Sequence, residues 1–349
     1  MREPMEAVFY VVVAAMLTTW AVLDGFDFGV GVVHRVVART EQERGRALAA
    51  IGPVWDGNEV WLVASGGVFL FAFPRAYAVA LSGMYLTLVV VLWLLVFRGI
   101  AIELRAQIAH PLWRDAWDGM FAFSSTAMAF VAGVALGNVV RGVPIDETGW
   151  FQLDLFALPG KRVAAIDGYT GLVGLLSVFS LGAHGATYLA WKTDGALHDR
   201  AVLTARRAWI ITIALGLAAT VATGWVRPAL FVALSQRWWV WPLPAIALCS
   251  PVVALRALAR GLELRAFLAS SALIASLLLA TAGALYPVLL PSTVARGFDL
   301  DAHAAASGQH GLALALAWWL PAMALAVLYF VNLFHSMRGK VGVSDHHGD

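Results

Sequence analysis

Nine stretches of this chain are apolar over about 20 residues, the length an α-helix needs to cross a hydrocarbon layer of about 30 Å. They lie at approximately 7–33, 51–73, 76–98, 117–139, 166–190, 203–225, 238–259, 266–289 and 309–335. A segment in lipid must satisfy its own backbone hydrogen bonds, and helices do so within one segment. The pattern therefore predicts an all-α, polytopic membrane helical bundle of about nine transmembrane helices, with residues 1–349 forming one integral membrane domain. Charged residues make up 13% of the chain, about half the share found in soluble domains. The second stretch is the weakest, because its first third is polar, and Pro242, Pro244 and Pro251 weaken the seventh. A net charge of +2 gives no reason to expect nucleic acid as a partner. The one cysteine, Cys249, excludes an intrachain disulfide and reads as inert packing in an apolar run. No CxxCH or paired-cysteine pattern supports attached haem, an iron–sulfur cluster or structural zinc.

Sidedness follows from lysine and arginine outside the spans. The first, third, fifth and seventh loops and the C-terminal tail hold 16 of these residues, and the opposite side holds 8. The bias predicts an outside N-terminus and a cytoplasmic C-terminus. Arg2 is outnumbered by Glu3 and Glu6, and the first apolar run ends in LDGFDFG, so that run is expected to stay as the first span.

The informative residues are the acids inside these spans. Asp24 and Asp27 lie three apart in LDGFDFGVG, on one helical face, and IGPVWDGNEVWLVASGG brings Asp56, Asn58 and Glu59 to the start of the second span. A carboxylate in hydrocarbon costs roughly 2.5–3.5 kcal/mol even on lenient scales, so such residues are expected where they have a task. Two helices joined by a basic loop place these groups near the cytoplasmic surface, where a crowded carboxylate cluster could pass protons inward. Structural roles compete with that reading. Asp56-x-x-Glu59 matches a capping box, although Pro53 suggests a helix start nearer Gly52, and Glu59 suits a helix N-terminus. Gly25 and Gly29 have the spacing that lets a second helix approach closely. Arg98 and Glu103 in VFRGIAIELR are expected to pair or to snorkel at the cytoplasmic interface.

Among the histidines, His184 in SLGAHGATYLAW is the best candidate haem ligand, with Gly182 and Gly185 beside it leaving room for a macrocycle or for a neighbouring helix. A hydrogen-bonded packing role is the default. His34 and His198 sit at cytoplasmic edges, while His346 and His347 belong to the tail.

LDGFDFGVG (23–31), IGPVWDGNEVWLVASGG (51–67), LFAFPRAYA (70–78), FRGI (97–100), GVALGNVVRGVP (133–144), HGATYLAWKTDGALHDRA (184–201) and AGALYPVLLPST (282–293) run in order along almost the whole chain. Together they resemble subunit II of the bacterial cytochrome bd-type quinol oxidases. The resemblance implies a heterodimer in the bacterial cytoplasmic membrane with a haem-bearing subunit I, joined in some cases by small accessory membrane subunits. Subunit I would carry haems b and d and the quinol site. This chain would ligate none of them and would add packing, a cytoplasmic proton-intake route and a site for a structural quinone or lipid. Asp56 then matches the family's proposed proton-path carboxylate and Asp27 another buried acid, with Trp55, Asn58 and Trp61 as motif support. The chain departs from the pattern at His184, where members can have glutamine, and in the short loop at 225–237.

Two other classes stay open. In a purely structural anchor, Asp27 and Asp56 would serve folding alone. A proton-coupled secondary transporter would be expected to show broken helices in both halves, whereas the acidic cluster has no counterpart in the later spans.

Overall fold

The computed structural model of the chain describes residues 5–156 and 163–341; Arg2, Glu3, Lys161, Arg162, His346 and His347 lie outside the described residues. The first apolar stretch forms α1 (Met5–Val37). The basic connection after it is not a loop but a short helix, α2 (Glu41–Ile51), started by a capping box in which Thr40 and Glu43 satisfy each other's backbone N–H groups. The polar-headed second stretch is the 18-residue α3 (Trp55–Ala72). The expected span 76–98 is divided into α4 (Pro74–Gly83) and α5 (Tyr85–Arg105), with Met84 between them. The cause lies in a distant segment: Leu153 N–H donates to the Gly83 carbonyl at 3.0 Å, and the Phe151 ring stands where a Gly83 side chain would be.

α6 (Pro111–Arg141) begins with proline at its first turn and stops at Gly142, whose φ of +97° suits glycine after a helix C-terminus. Two short parallel strands, β1 (Asp154–Phe156) and β2 (Ala164–Ile166), lead to α7 (Gly168–Lys192) and α8 (Gly195–Val226). The segment expected as a short loop at 225–237 is largely helical, as α9 (Pro228–Gln236). Next come α10 (Pro242–Ala259) and α11 (Glu263–Leu285). An antiparallel pair, β3 (Val288–Leu290) with β4 (Leu300–Asp301), a single turn α12 (Ala302–Ala305) and the long α13 (Gln309–Ser336) complete the described chain.

Eight helices among the described residues are long and apolar enough to cross a membrane: α1, α5, α6, α7, α8, α10 with the turn before it, α11 and α13. α3 falls outside that group because Asp56, Asn58 and Glu59 occupy its first turns.

α7 is the most buried of these helices and packs between α1, α6, α8 and α11. Lipid tails are as apolar as leucine, so helices associate in a membrane through close packing, which small residues permit. Gly29 and Gly185 bring the backbones of α1 and α7 into contact: a Cβ on Gly185 would lie 2.1 Å from the Gly29 carbonyl carbon. The glycines beside His184 thus admit a neighbouring helix.

Loops assigned to one side of the membrane by charge meet at one end of the bundle. Arg105 bonds Glu41 at 3.0 Å, Arg46 pairs with Asp194 and donates to the Val341 carbonyl at 3.1 Å, and Arg200 pairs with Glu43. Burial presses the Glu43 carboxyl upward, but hydrogen bonds from Arg200 and from the Arg39 and Thr40 N–H groups outweigh it and hold it below its ordinary value. A lowered folded-state value stabilises the fold above the unfolded value, about 4.3, and is lost as pH falls through the folded one. Glu43→Gln is therefore expected to reduce stability at pH 7 by about 1 kcal/mol, the usual worth of a cap. In thermal unfolding, the gap from wild type should close as the medium is acidified.

Candidate functional site

Asp24 and Asp27 project from one face of α1 and have no solvent exposure. Arg98, two turns before the end of α5, is equally buried. Its Nη1 donates to Asp24 Oδ1, and its Nη2 donates to Glu59 Oε2 at 2.6 Å. Trp20 Nε1 holds the other Asp24 oxygen at 2.8 Å. The guanidinium lies 4.3 Å from the Phe28 ring centre and 6.0 Å from that of Trp55. A forked guanidinium with a carboxylate on each arm and an aromatic face beneath it is how an arginine can be held out of water.

Asp27 lies outside that pairing. Asn58 Nδ2 donates to Asp27 Oδ2 at 2.8 Å and to the Leu23 carbonyl at 3.2 Å. Asp27 Oδ1, Asn58 Oδ1 and Trp61 Nε1 are buried without a hydrogen-bond partner among the described residues. Among the described residues the site therefore holds three carboxylates and one guanidinium, and Asp27 is the carboxylate with no hydrogen-bonded cation. Its free oxygen is a position where a proton can be received.

Residues 5–337 match the family of cytochrome bd terminal oxidase subunit II. The chain belongs to that family. It is 29% identical over 371 residues to cytochrome bd-I ubiquinol oxidase subunit 2 of Escherichia coli (strain K12), covering 98% of this chain and 97% of that protein. Identity reaches 38% over 212 residues with the probable cytochrome oxidase subunit 2 of Haemophilus influenzae, covering 60% of this chain and 55% of that one. The bd oxidase of Geobacillus thermodenitrificans shares the fold, with a TM-score of 0.77, 19% identity and coverage of 96% and 99% of the two chains.

For a subunit II, the placement of the sequence candidates is uneven. Asp24, Asp27, Asn58 and Glu59 converge, with Trp55 against Arg98 and Trp61 packed on Phe330. Asp56 does not join them: it is exposed in the first turn of α3. The capping box drawn between Asp56 and Glu59 is not formed, since α3 starts at Trp55 without a side-chain cap and Glu59 turns to Arg98 instead. Arg98 neither snorkels nor pairs with Glu103; two buried or half-buried acids hold it inside the bundle, while Glu103 is exposed. Cys249 is exposed rather than packed in the interior.

Both ring nitrogens of His184 are engaged, Nδ1 with Ser270 Oγ at 2.6 Å and Nε2 with the Val22 carbonyl at 3.0 Å, and the ring stacks on Phe267. That environment does not fit an axial haem ligand. Sequence reading missed a second polar centre, in which His34 Nε2 meets Asp118 Oδ1 at 2.8 Å and Arg105 Nε meets the same oxygen at 2.6 Å. Asp118 in RDAWDG was a detectable signal, a carboxylate at the edge of the fourth span.

Proposed function

We propose that this subunit II, acting as one integral membrane unit, carries protons from the cytoplasm toward a reaction centre in a haem-bearing subunit I. Quinol is oxidised there and dioxygen reduced to water. Subunit I would hold haems b and d. The reading is supported by the family and by one feature above all: Asp27, a fully buried carboxylate with one oxygen unpartnered among the described residues, beside an ion network that reaches the surface at Glu59. The excess of lysine and arginine at the end of the bundle near this site supports a cytoplasmic location and an outside N-terminus. Asp56, exposed above the cluster on α3, is the surface residue suited to collect protons, with Asn58 fixing Asp27. An apolar groove between α1, α3 and α13, lined by Phe9, Phe71, Trp318 and Trp319, suits a lipid or quinone tail.

Asp24 and Glu59 favour a second, structural role within the same site. Each helps to neutralise Arg98, which is fully buried between them, so loss of either carboxylate leaves a buried cation short of a partner. The two roles separate by mutation in the assembled oxidase. Asp27→Asn is expected to slow quinol-driven oxygen consumption by about a hundredfold, the low end for a positioned proton-transfer group, with haem content unchanged. Asp24→Asn is expected to lower the yield of haem-loaded complex. Wild-type turnover of Asp27→Asn, haems intact, would remove Asp27 from the route.

A further inference from the structure

We propose that protons also reach Asp27 along the seam between α1 and α6, through His34 and Ser125, with Asp118 at the cytoplasmic mouth. This rests on Asp27 being the acceptor in the proposed route. Along α1, residues 24, 27, 31 and 34 are spaced by three, four and three, and so fall on one face. Asp118, Phe121 and Ser125 are spaced in the same way on α6 and lie against that face. His34 bonds Asp118, the Phe121 ring stands edge-on to the imidazole at 5.4 Å, and Ser125 fills the space beside Gly31. A Cβ on Gly31 would be 2.1 Å from Ser125 Oγ, so glycine here lets the hydroxyl reach the α1 backbone.

Asp27, His34, Asp118 and Ser125 are all fully buried. Three of their polar atoms, Asp27 Oδ1, Ser125 Oγ and His34 Nδ1, have no hydrogen-bond partner among the described residues. Buried polar atoms in folded proteins are nearly always bonded to protein or to ordered water. With a rise of 1.5 Å per residue, the levels of Asp27 and Gly31 are about 6 Å apart and those of Gly31 and His34 about 4.5 Å, spans that one or two waters bridge.

His34 has the two-sided arrangement of a relay. Its Nε2 faces a carboxylate tied to the surface, and its Nδ1 is the unpartnered atom. A proton taken up at Nε2 is matched by one released from Nδ1, and the ring then resets its tautomer, so no bond or charge is left over. At the mouth, Arg44, Arg105 and the half-exposed Asp115 and Glu41 connect Asp118 to water, with Arg35 and Arg114 pairing the two outer acids. The same contacts also tie α1, α5 and α6 together, so the test needs a readout that loss of a tie leaves unmoved.

That readout is the solvent deuterium isotope effect on quinol-driven oxygen consumption by the complete oxidase. His34→Phe and Ser125→Val are each expected to lower turnover by about tenfold, less than loss of a sole relay because Asp56 feeds the same acceptor. Both should raise the isotope effect, with haem content and the KM for quinol unchanged. Wild-type turnover in both variants overturns the proposal, as does reduced turnover with an unchanged isotope effect. If Asp27→Asn is slow while both variants run normally, the seam fails and the acceptor stands; if Asp27→Asn also runs normally, the acceptor reading fails. Should the variants lose haem, an experimental density map of the wild-type complex decides: ordered water between His34 Nδ1, Ser125 Oγ and Asp27 Oδ1 supports the seam, and a dry seam overturns it.

Discussion

Replacing Arg98 with alanine is expected to leave little assembled oxidase. Asp24 is fully buried and Glu59 largely so, and both depend on this guanidinium. Removing one partner of a buried ion pair costs about 3–5 kcal/mol, because the charge left behind is neither hydrated nor paired. Here two carboxylates are stranded together, with Asp27 three residues away on the same face. Arg98→Lys keeps the charge but not the fork that spans two acids, so it should fall between alanine and wild type. The check is the yield of haem-loaded complex and its thermal midpoint in detergent. Wild-type values for the alanine variant would mean that the pairings carry no stability.

The second large effect is steric. Gly185→Val, and to a lesser degree Gly185→Ala, is expected to force α7 away from α1. A Cβ there would stand 2.1 Å from the Gly29 carbonyl carbon and 2.2 Å from Val30 N, and backbone atoms inside a helix cannot rotate aside. Ordinary overpacking costs about 1–3 kcal/mol where side chains can yield, and this position lacks that relief. Separation of the helices would also pull His184 Nε2 from the Val22 carbonyl. Gly216→Ala on α8 is the control, since its Cβ would meet only Leu176 at 3.9 Å. Loss of complex with Gly185→Val beside normal yield with Gly216→Ala would show that contact between the helix backbones, not glycine content, sets the packing.

Much of this was legible in the sequence, for physical reasons. Hydropathy over 20 residues is a local property, so most spans were visible; so was the Gly25 and Gly29 spacing that predicted a close helix neighbour. Asp24, Asp27 and Asn58 could be brought together from the two spans that carry them. Arg98 could not be placed, because an arginine near the end of a span looks like an interfacial anchor until the acids that hold it, 74 and 39 residues earlier in the chain, are seen around it. His34 and Asp118 escaped for the same reason, lying 84 residues apart. The break at Met84 depends on Leu153 and Phe151, which no local pattern on α4 announces. α2 does have a local signal: Thr40 and Glu43 are the ends of a capping-box pattern inside a basic segment that hydropathy alone reads as a loop. Asp56 shows a different limit: the sequence groups it with Asp27, Asn58 and Glu59, and only the fold shows that its side chain turns to the surface while theirs converge.

The claim that Asp27 receives protons for oxygen reduction is tested most directly by proton uptake itself. The fully reduced oxidase, mixed with oxygen in weak buffer containing a pH-sensitive dye, reports uptake alongside haem oxidation. Asp27→Asn should leave the first electron transfer to oxygen at its normal rate and slow proton uptake by about a hundredfold. Uptake at the wild-type rate, with haems intact, would contradict the account.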